Sequence, residues 1–190
     1  MAKVSSKAER SIRRLALAVG LGAMALGLAG AAQMPDGRPT PTGLEVPRWV
    51  SLKSDRVRAR HGPGLDHEVL WEYRAAGLPV QVIAETREWR KVCDPEGAVA
   101  WIHRSVASGR RTTFNAAKDI LTLRTRPEAD ASVRARLRGR SVAAHDRCED
   151  GWCRVRVGKI SGWAPAKSLF GVQDQALCPA NAKAGTPTGG

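Results

Sequence analysis

Four cysteines and four histidines carry the most reactive side chains of this 190-residue chain. A papain-like thiol hydrolase needs a Cys nucleophile with a partner His, and a structural zinc site needs four Cys or His groups at short spacing. His61, His67, His103 and His145 form no H-E-x-x-H or other compact metal signature, and each reads as a surface or loop residue. A metal set of His145, Cys148, Cys153 and Cys178 matches no common zinc spacing. No acidic residue sits in an apolar pattern of the kind that raises a carboxyl pKa for glycoside cleavage. The sequence therefore assigns no catalytic residue, no cofactor and no metal.

Recognition chemistry remains, carried by tryptophan and arginine. Trp89-Arg90-Lys91-Val92 is followed by Trp101, and Trp152-Cys153-Arg154-Val155 by Trp163. The first tryptophans lie 63 positions apart and the second 62, while Arg58-Ala59-Arg60 reappears as Arg124-Thr125-Arg126 at an offset of 66. Landmarks that keep one order and nearly one spacing mark the same small β-domain twice. On an unbulged strand the Trp and Val of W-x-x-V point to opposite faces. Val155 and Val157 share the inward face with Cys153, so Trp152 points outward with Arg154 and Arg156. The same argument sets Trp89 against Val92, Trp101 against Ile102 and Trp163 against Ala164.

Each repeat then displays two tryptophans on its outer side, where large aromatics mark binding sites. Trp89 leads this set, with Trp71 and Tyr73 completing a groove. The competing assignment makes the tryptophans caps of a small core or fillers between the repeats, and puts Trp71 and Tyr73 on a core strand. Val133-Arg134-Ala135-Arg136-Leu137-Arg138 alternates apolar and charged residues, which places Arg134, Arg136, Arg138 and Arg140 on one face of a strand. That stripe either tracks carboxylates or phosphates by forked hydrogen bonds or guards a sheet edge. Arg154, Arg156 and Lys159 nearby favour an anionic site on the second repeat.

The elements that must position these groups are strands and turns. Leu78 to Ala84 reads as a strand after the Gly77 turn, and Arg154 to Val157 alternates likewise. Asp150-Gly151 is a strong two-residue hairpin signal, and Asp94-Pro95-Glu96-Gly97 is the matching turn in the first repeat. The expected fold is all-β, with two small, antiparallel, partly closed barrels in tandem. Across an Asp150-Gly151 turn, Glu149 faces Trp152 and Cys148 faces Cys153 at a non-hydrogen-bonded position. Cα atoms there approach to about 4.5 Å, within reach of a disulfide. Its short loop is worth roughly 2 kcal/mol. Elimination leaves Cys93 for Cys178, a long loop worth up to about 4–5 kcal/mol.

Lys3, Lys7, Arg10, Arg13 and Arg14 precede an uncharged run, Leu15 to Ala32, that ends in small residues suited to cleavage. Residues 1–32 read as a signal helix; the alternative, an uncleaved anchor, is the one route by which this chain would be held in a membrane. Export places the cysteines where disulfides are the default and makes the protein periplasmic or secreted. A Pro-rich linker over 33–48, barrels over 49–110 and 111–172, and a flexible tail over 173–190 complete the division. The formal charge is +13, of which the first barrel carries +2 and the second +7. Such a field draws anionic partners. Nucleic acid fits the sign but not an exported protein; cell-wall carboxylates, lipopolysaccharide phosphates or an acidic protein fit both.

The first repeat also holds Val57-Arg58-Ala59-Arg60, Gly62-Pro63-Gly64 and Gly77-Leu78-Pro79-Val80 around its tryptophan motifs. The second holds Leu123-Arg124-Thr125-Arg126-Pro127, Gly151-Trp152-Cys153-Arg154-Val155 and Gly162-Trp163-Ala164-Pro165. In these motifs the chain resembles the bacterial SH3-like domain family, in tandem, over roughly residues 49–172. It departs from the family in lacking the second Gly-Pro-Gly and in carrying Ala100-Trp101 where Gly-Trp is usual. The resemblance implies SH3-like barrels that target cell-wall peptides or serve as adaptors, a Trp that lines a peptide groove, and no chemistry. The expected function is a non-enzymatic envelope binding module for peptidoglycan peptide or another anionic extended ligand. Its candidate residues are Trp89, Trp101, Trp152, Trp163, Tyr73, Arg134, Arg136, Arg154 and Arg156. The alternatives are an adaptor for an envelope protein's proline-rich or acidic segment and, more remotely, a small cell-wall hydrolase, for which two barrels leave no room.

Overall fold

The computed structural model describes residues 32–185; apart from Ala32, the expected signal helix lies outside the described residues. Among these, no helix is long and apolar enough to cross a membrane. The first sheet contains β1 (Arg48–Leu52), β2 (Val57–Arg60), β3 (Val69–Tyr73), β4 (Pro79–Glu85), β5 (Trp89–Cys93), β6 (Val99–His103) and β7 (Ala107–Ser108). The second contains β8 (Thr112–Asn115), β9 (Leu121–Arg124), β10 (Val133–Leu137), β11 (Ser141–Glu149), β12 (Trp152–Val157) and β13 (Ile160–Pro165). The strand orders are β3-β2-β6-β5-β4-β1-β7 and β10-β9-β13-β12-β11-β8. Apart from the short β7 they correspond strand for strand, and all pairings are antiparallel.

Each sheet curls because residues from its separated strands meet in one core. Val50, Val57, Val80, Val92 and Ile102, from five strands, pack in the first. Leu123, Leu137, Ala143, Val155 and Ala164 do so in the second. The molecule is thus two small antiparallel barrels in tandem, as the alternation of apolar and polar residues and the turn signals indicated. Asp150 and Gly151 have φ of 47° and 76°, the left-handed pair that matches the twist of a tight hairpin. Glu149 consequently faces Trp152, and Cys148 faces Cys153. That pair is bonded with Cα atoms 4.0 Å apart, and Cys93 is bonded to Cys178. In the other turn the buried Asp94 carboxylate accepts the amides of Glu96 and Ala98 at 3.0 and 2.9 Å.

The register revises one part of the repeat. Arg60 pairs with Trp101, and Arg124 pairs with Trp163. The equivalent arginines are therefore Arg60 and Arg124, 64 positions apart, and the offset of 66 aligned the wrong members of two short Arg-rich runs. The arginine stripe is also shorter than its alternation implied. Arg134 and Arg136 lie on β10, an edge strand paired only with β9, which suits edge protection. Arg140 sits in the following turn with φ of 57°, stacks over Phe114 at 5.4 Å and pairs with Glu96 at 2.6 Å. Val133 is 50% and Val157 42% exposed rather than inward. A bulge at Val133/Ala135 displaces the first, and the second borders the β12–β13 turn.

The second barrel contributes side chains to the first barrel's core. Phe114 of β8 belongs to the first barrel's core, joined there by Val142 and Phe170. The Thr112 hydroxyl donates to the Gly77 carbonyl at 2.7 Å, and the Ser51 hydroxyl to the Arg110 carbonyl at 2.5 Å. The segments read as a loose linker and tail are fastened to the first barrel through Gly185. Thr42 and Arg48 bind the Glu85 carboxylate. Gln81 donates to the Gln175 carbonyl at 2.8 Å and accepts from the Leu177 amide at 2.8 Å, while the Gly185 amide donates to Val99 at 2.7 Å. Leu177 and Ala182 pack on Ile83, Cys93 and Val99. Compositional bias hid this docking, because the anchors are scattered polar contacts, two apolar side chains and one disulfide rather than a run of apolar residues.

Candidate functional site

Cross-strand register lines up the outer face of each barrel in rows, since directly opposed residues share a face of the sheet. In the first barrel Trp89 opposes His103, Lys91 opposes Trp101, and Cys93 opposes Val99. In the second Trp152 opposes Pro165, Arg154 opposes Trp163, and Arg156 opposes Ser161. Val92, Ile102 and Ala164 point inward into the cores, so the face assigned to each tryptophan by the W-x-x-V argument agrees with the fold. Exposure does not. Trp89 is only 8% and Trp163 6% exposed, while Trp101 and Trp152 are half-buried.

The reason is cover from neighbouring polar groups. The Trp89 ring meets His103 edge-on, with centroids 5.3 Å apart. Glu88 binds Arg104 at 2.8 Å and His103 at 3.6 Å over the same strand ends. The uncovered edge of Trp89 lines a groove of about 810 Å³ with Arg56, Arg58, Leu65 and His103; Leu65 is 77% exposed at its rim. Tyr73 is not part of that groove. It is a core residue whose hydroxyl donates to Asp94 at 3.2 Å, and burial raises its pKa well above the ordinary value. Burial also raises the pKa of Asp94, against the hydrogen bonds it accepts.

The central rows extend further. In the second barrel Arg147, Arg154, Trp163 and Arg124 oppose one another across β11, β12, β13 and β9. The equivalent row in the first barrel is Ala84, Lys91, Trp101 and Arg60. A bulge in β4 and another in β11 set both registers. Arg147 lies 5.0 Å above the Trp163 ring and explains its burial. Trp163, Arg134, Arg154 and Thr125 line a pocket of about 320 Å³. The inner arginines hold their own loops: Arg60 donates to the Leu65 and His67 carbonyls at 3.1 and 2.7 Å, and Arg124 to the Ala131 carbonyl at 2.6 Å.

In the first barrel this row is roofed. Met34, Pro39 and Pro41 from the N-terminal arm and Ala180 and Asn181 from the tail line, with Lys91 and Trp101, an open cavity of about 980 Å³. Lys91 donates to the Ala180 carbonyl at 2.8 Å, and burial lowers its pKa. The structure thus brings Arg134, Arg154 and Trp163 together. It separates Arg136, which lines neither pocket, and Arg156, which faces the seam between the barrels. Sequence reasoning missed Arg147, because the bulge that swings it onto Trp163 has no composition signal. Arg60 and Lys91 were legible in principle, by counting across strands from Trp101.

The cysteines are consumed in disulfides, so none offers a thiolate. His145 lies 3.4 Å from Cys148, and burial, then the charge of Arg111, lowers its pKa. The sulfurs of the proposed metal set are divided between two bridges.

Residues 53–109 and 117–171 each match the bacterial SH3 domain. Together they make up more than half of the chain, and the chain belongs to that family. Domains of this family are typically binding modules. Among solved structures, NlpC2 from Trichomonas vaginalis is 13% identical, over 67% of this chain and 49% of that one, with a TM-score of 0.30. NlpC1 from the same organism is 13% identical over 70% and 50%, with a TM-score of 0.31. This chain spans about half the length of both. No curated protein matches it.

Proposed function

We propose that this chain is a non-enzymatic module of the cell envelope that binds an anionic extended ligand, foremost the peptide of peptidoglycan. The observation that carries this reading is the arginine-flanked row on the second barrel. Arg154 and Arg134 flank Trp163 in a pocket on the barrel that holds most of the excess positive charge. A peptide carboxylate would take forked hydrogen bonds from the arginines, and its apolar stem would pack against the indole. On the first barrel, Trp89 and the exposed Arg58 would hold a second stretch of the ligand. Two disulfides support a location outside the cytoplasm.

Co-sedimentation of residues 33–190 with purified sacculi, across a salt series, tests this. Binding should weaken as salt rises, and Arg134→Ala with Arg154→Ala should weaken it by about tenfold or more. Trp89→Ala should cost less. Absence of binding at every salt concentration would overturn the wall reading. The adaptor reading would then stand on the Leu65-rimmed Trp89 groove, which suits a short protein segment.

A further inference from the structure

The seam between the barrels holds a second cationic site that the wall-binding row does not use. A pocket of about 660 Å³ opens where β1 and β7 of the first barrel approach β8 of the second. Lys53, Arg110 and Arg156 line it, with no acidic residue in its wall. None of the three makes a side-chain ion pair or hydrogen bond among the described residues. This contrasts with Arg48, Arg90, Arg104 and Arg140, each held by a carboxylate.

The frame around these cations is rigid. Arg156 opposes Ala144, and Ala144 opposes Thr112, so three strands set the position of Arg156 against the seam. Thr112 is fixed to Gly77 across the seam, and Ser51 to the Arg110 backbone. The Lys53 amide is tied to the Val106 carbonyl at 2.9 Å. The charged side chains are therefore presented from backbones that both barrels must supply.

We infer that this seam binds a phosphorylated sugar. Three unneutralised cations in one pocket match a phosphate monoester, which carries about −1.5 to −2 at pH 7, better than a single carboxylate. Two guanidinium forks and one ammonium satisfy the phosphate oxygens. The volume exceeds what phosphate alone would fill and lies within the range of small-molecule sites, roughly 300–1,000 Å³. Leu52, Ala76, Val142 and Ala144 supply apolar wall for the sugar ring.

The test is titration of isotope-labelled 33–190 protein with glucose 6-phosphate, followed by amide resonances. Saturable shifts are expected at Gly77, Ser108, Ala144 and Gly158. Arg110→Gln and Arg156→Gln should each weaken binding by about tenfold, with the remaining resonances unchanged as proof of folding. Lys53→Gln, at an exposed position like the two arginines, gives an independent variant that should weaken binding in the same way. Lack of saturable shifts, equal affinity for gluconate, or undiminished binding in the arginine variants would overturn the assignment. Displacement of glucose 6-phosphate by lipopolysaccharide would place the phosphate on an envelope glycan, and retention would place it on a free sugar. Failure here leaves sacculus binding untouched, because Trp89, Arg134 and Arg154 lie outside the seam pocket.

Discussion

The two barrels carry the same row of residues and treat it in opposite ways. In the first, Lys91 and Trp101 lie beneath an N-terminal arm and a C-terminal tail, and Cys93–Cys178 holds the tail in place. In the second, the cover comes from the barrel itself: Arg147 lies over the Trp163 indole, Arg134 lines the same pocket, and Arg154 pairs with Asp146 at 3.7 Å. The position equivalent to Cys93 is Arg156, so a covalent anchor in one copy is a free cation in the other. Duplication supplied two copies of one surface. One became a foundation for flanking chain, and the other kept the greater positive charge.

The sharpest way to break this comparison is to unroof the first barrel. Cys93→Ser with Cys178→Ser removes a crosslink spanning 85 residues and should cost about 4–5 kcal/mol. Cys148→Ser with Cys153→Ser, spanning 5 residues, should cost about 2 kcal/mol. Chemical denaturation of the two double variants checks the order; equal losses would mean that the tail is not held chiefly by its bridge. Next in size is Phe114→Ala, which removes a second-barrel side chain from the first barrel's core and should cost about 3–5 kcal/mol. Because second-barrel residues complete the first barrel's core, calorimetry should show one transition shifting as a whole. Two separated transitions would show barrels that fold independently.

A smaller effect concerns the arm. Burial alone would raise the pKa of Glu85, but hydrogen bonds from Thr42 and Arg48 and the charges of Arg48 and Arg90 outweigh it and lower the net value. A carboxylate depressed in the folded state contributes stability above its unfolded pKa, about 4.3. That contribution is lost as pH falls from there through the folded value. Glu85→Gln should cost about 2–3 kcal/mol at neutral pH and flatten the acid limb of the stability curve. An unchanged acid limb in urea melts would remove Glu85 from the account. The smallest effect is at Trp163. Arg147→Ala should cost about 0.5–1 kcal/mol while increasing acrylamide quenching of tryptophan fluorescence, because the indole loses its cover.

How much of this was legible can be read from particular residues. Alternation in β12 and the Asp150-Gly151 turn fixed a register, and the register placed Cys148 opposite Cys153. Those are local matters of backbone geometry, where strand period and turn type leave little freedom. The same logic assigned Trp89, Trp101 and Trp163 to the outer faces. It left exposure open between groove and core cap, because exposure depends on what arrives from elsewhere in the chain: His103 beside Trp89, and Arg147 over Trp163. The bulges that aim such side chains give no periodic signal.

The amino-acid sequence by itself determined the duplication, the all-β architecture, the hairpin turns, the short disulfide and the uneven charge of the two halves. Each follows from residues close together in the chain or repeated along it. Only the tertiary structure decided that Phe114 enters the first barrel's core, that arm and tail pack over one barrel, that Arg134 and Arg154 converge on Trp163, and that Lys53, Arg110 and Arg156 meet at the seam. These depend on contacts between distant segments, whose partners are selected by packing and charge once the chain has closed on itself.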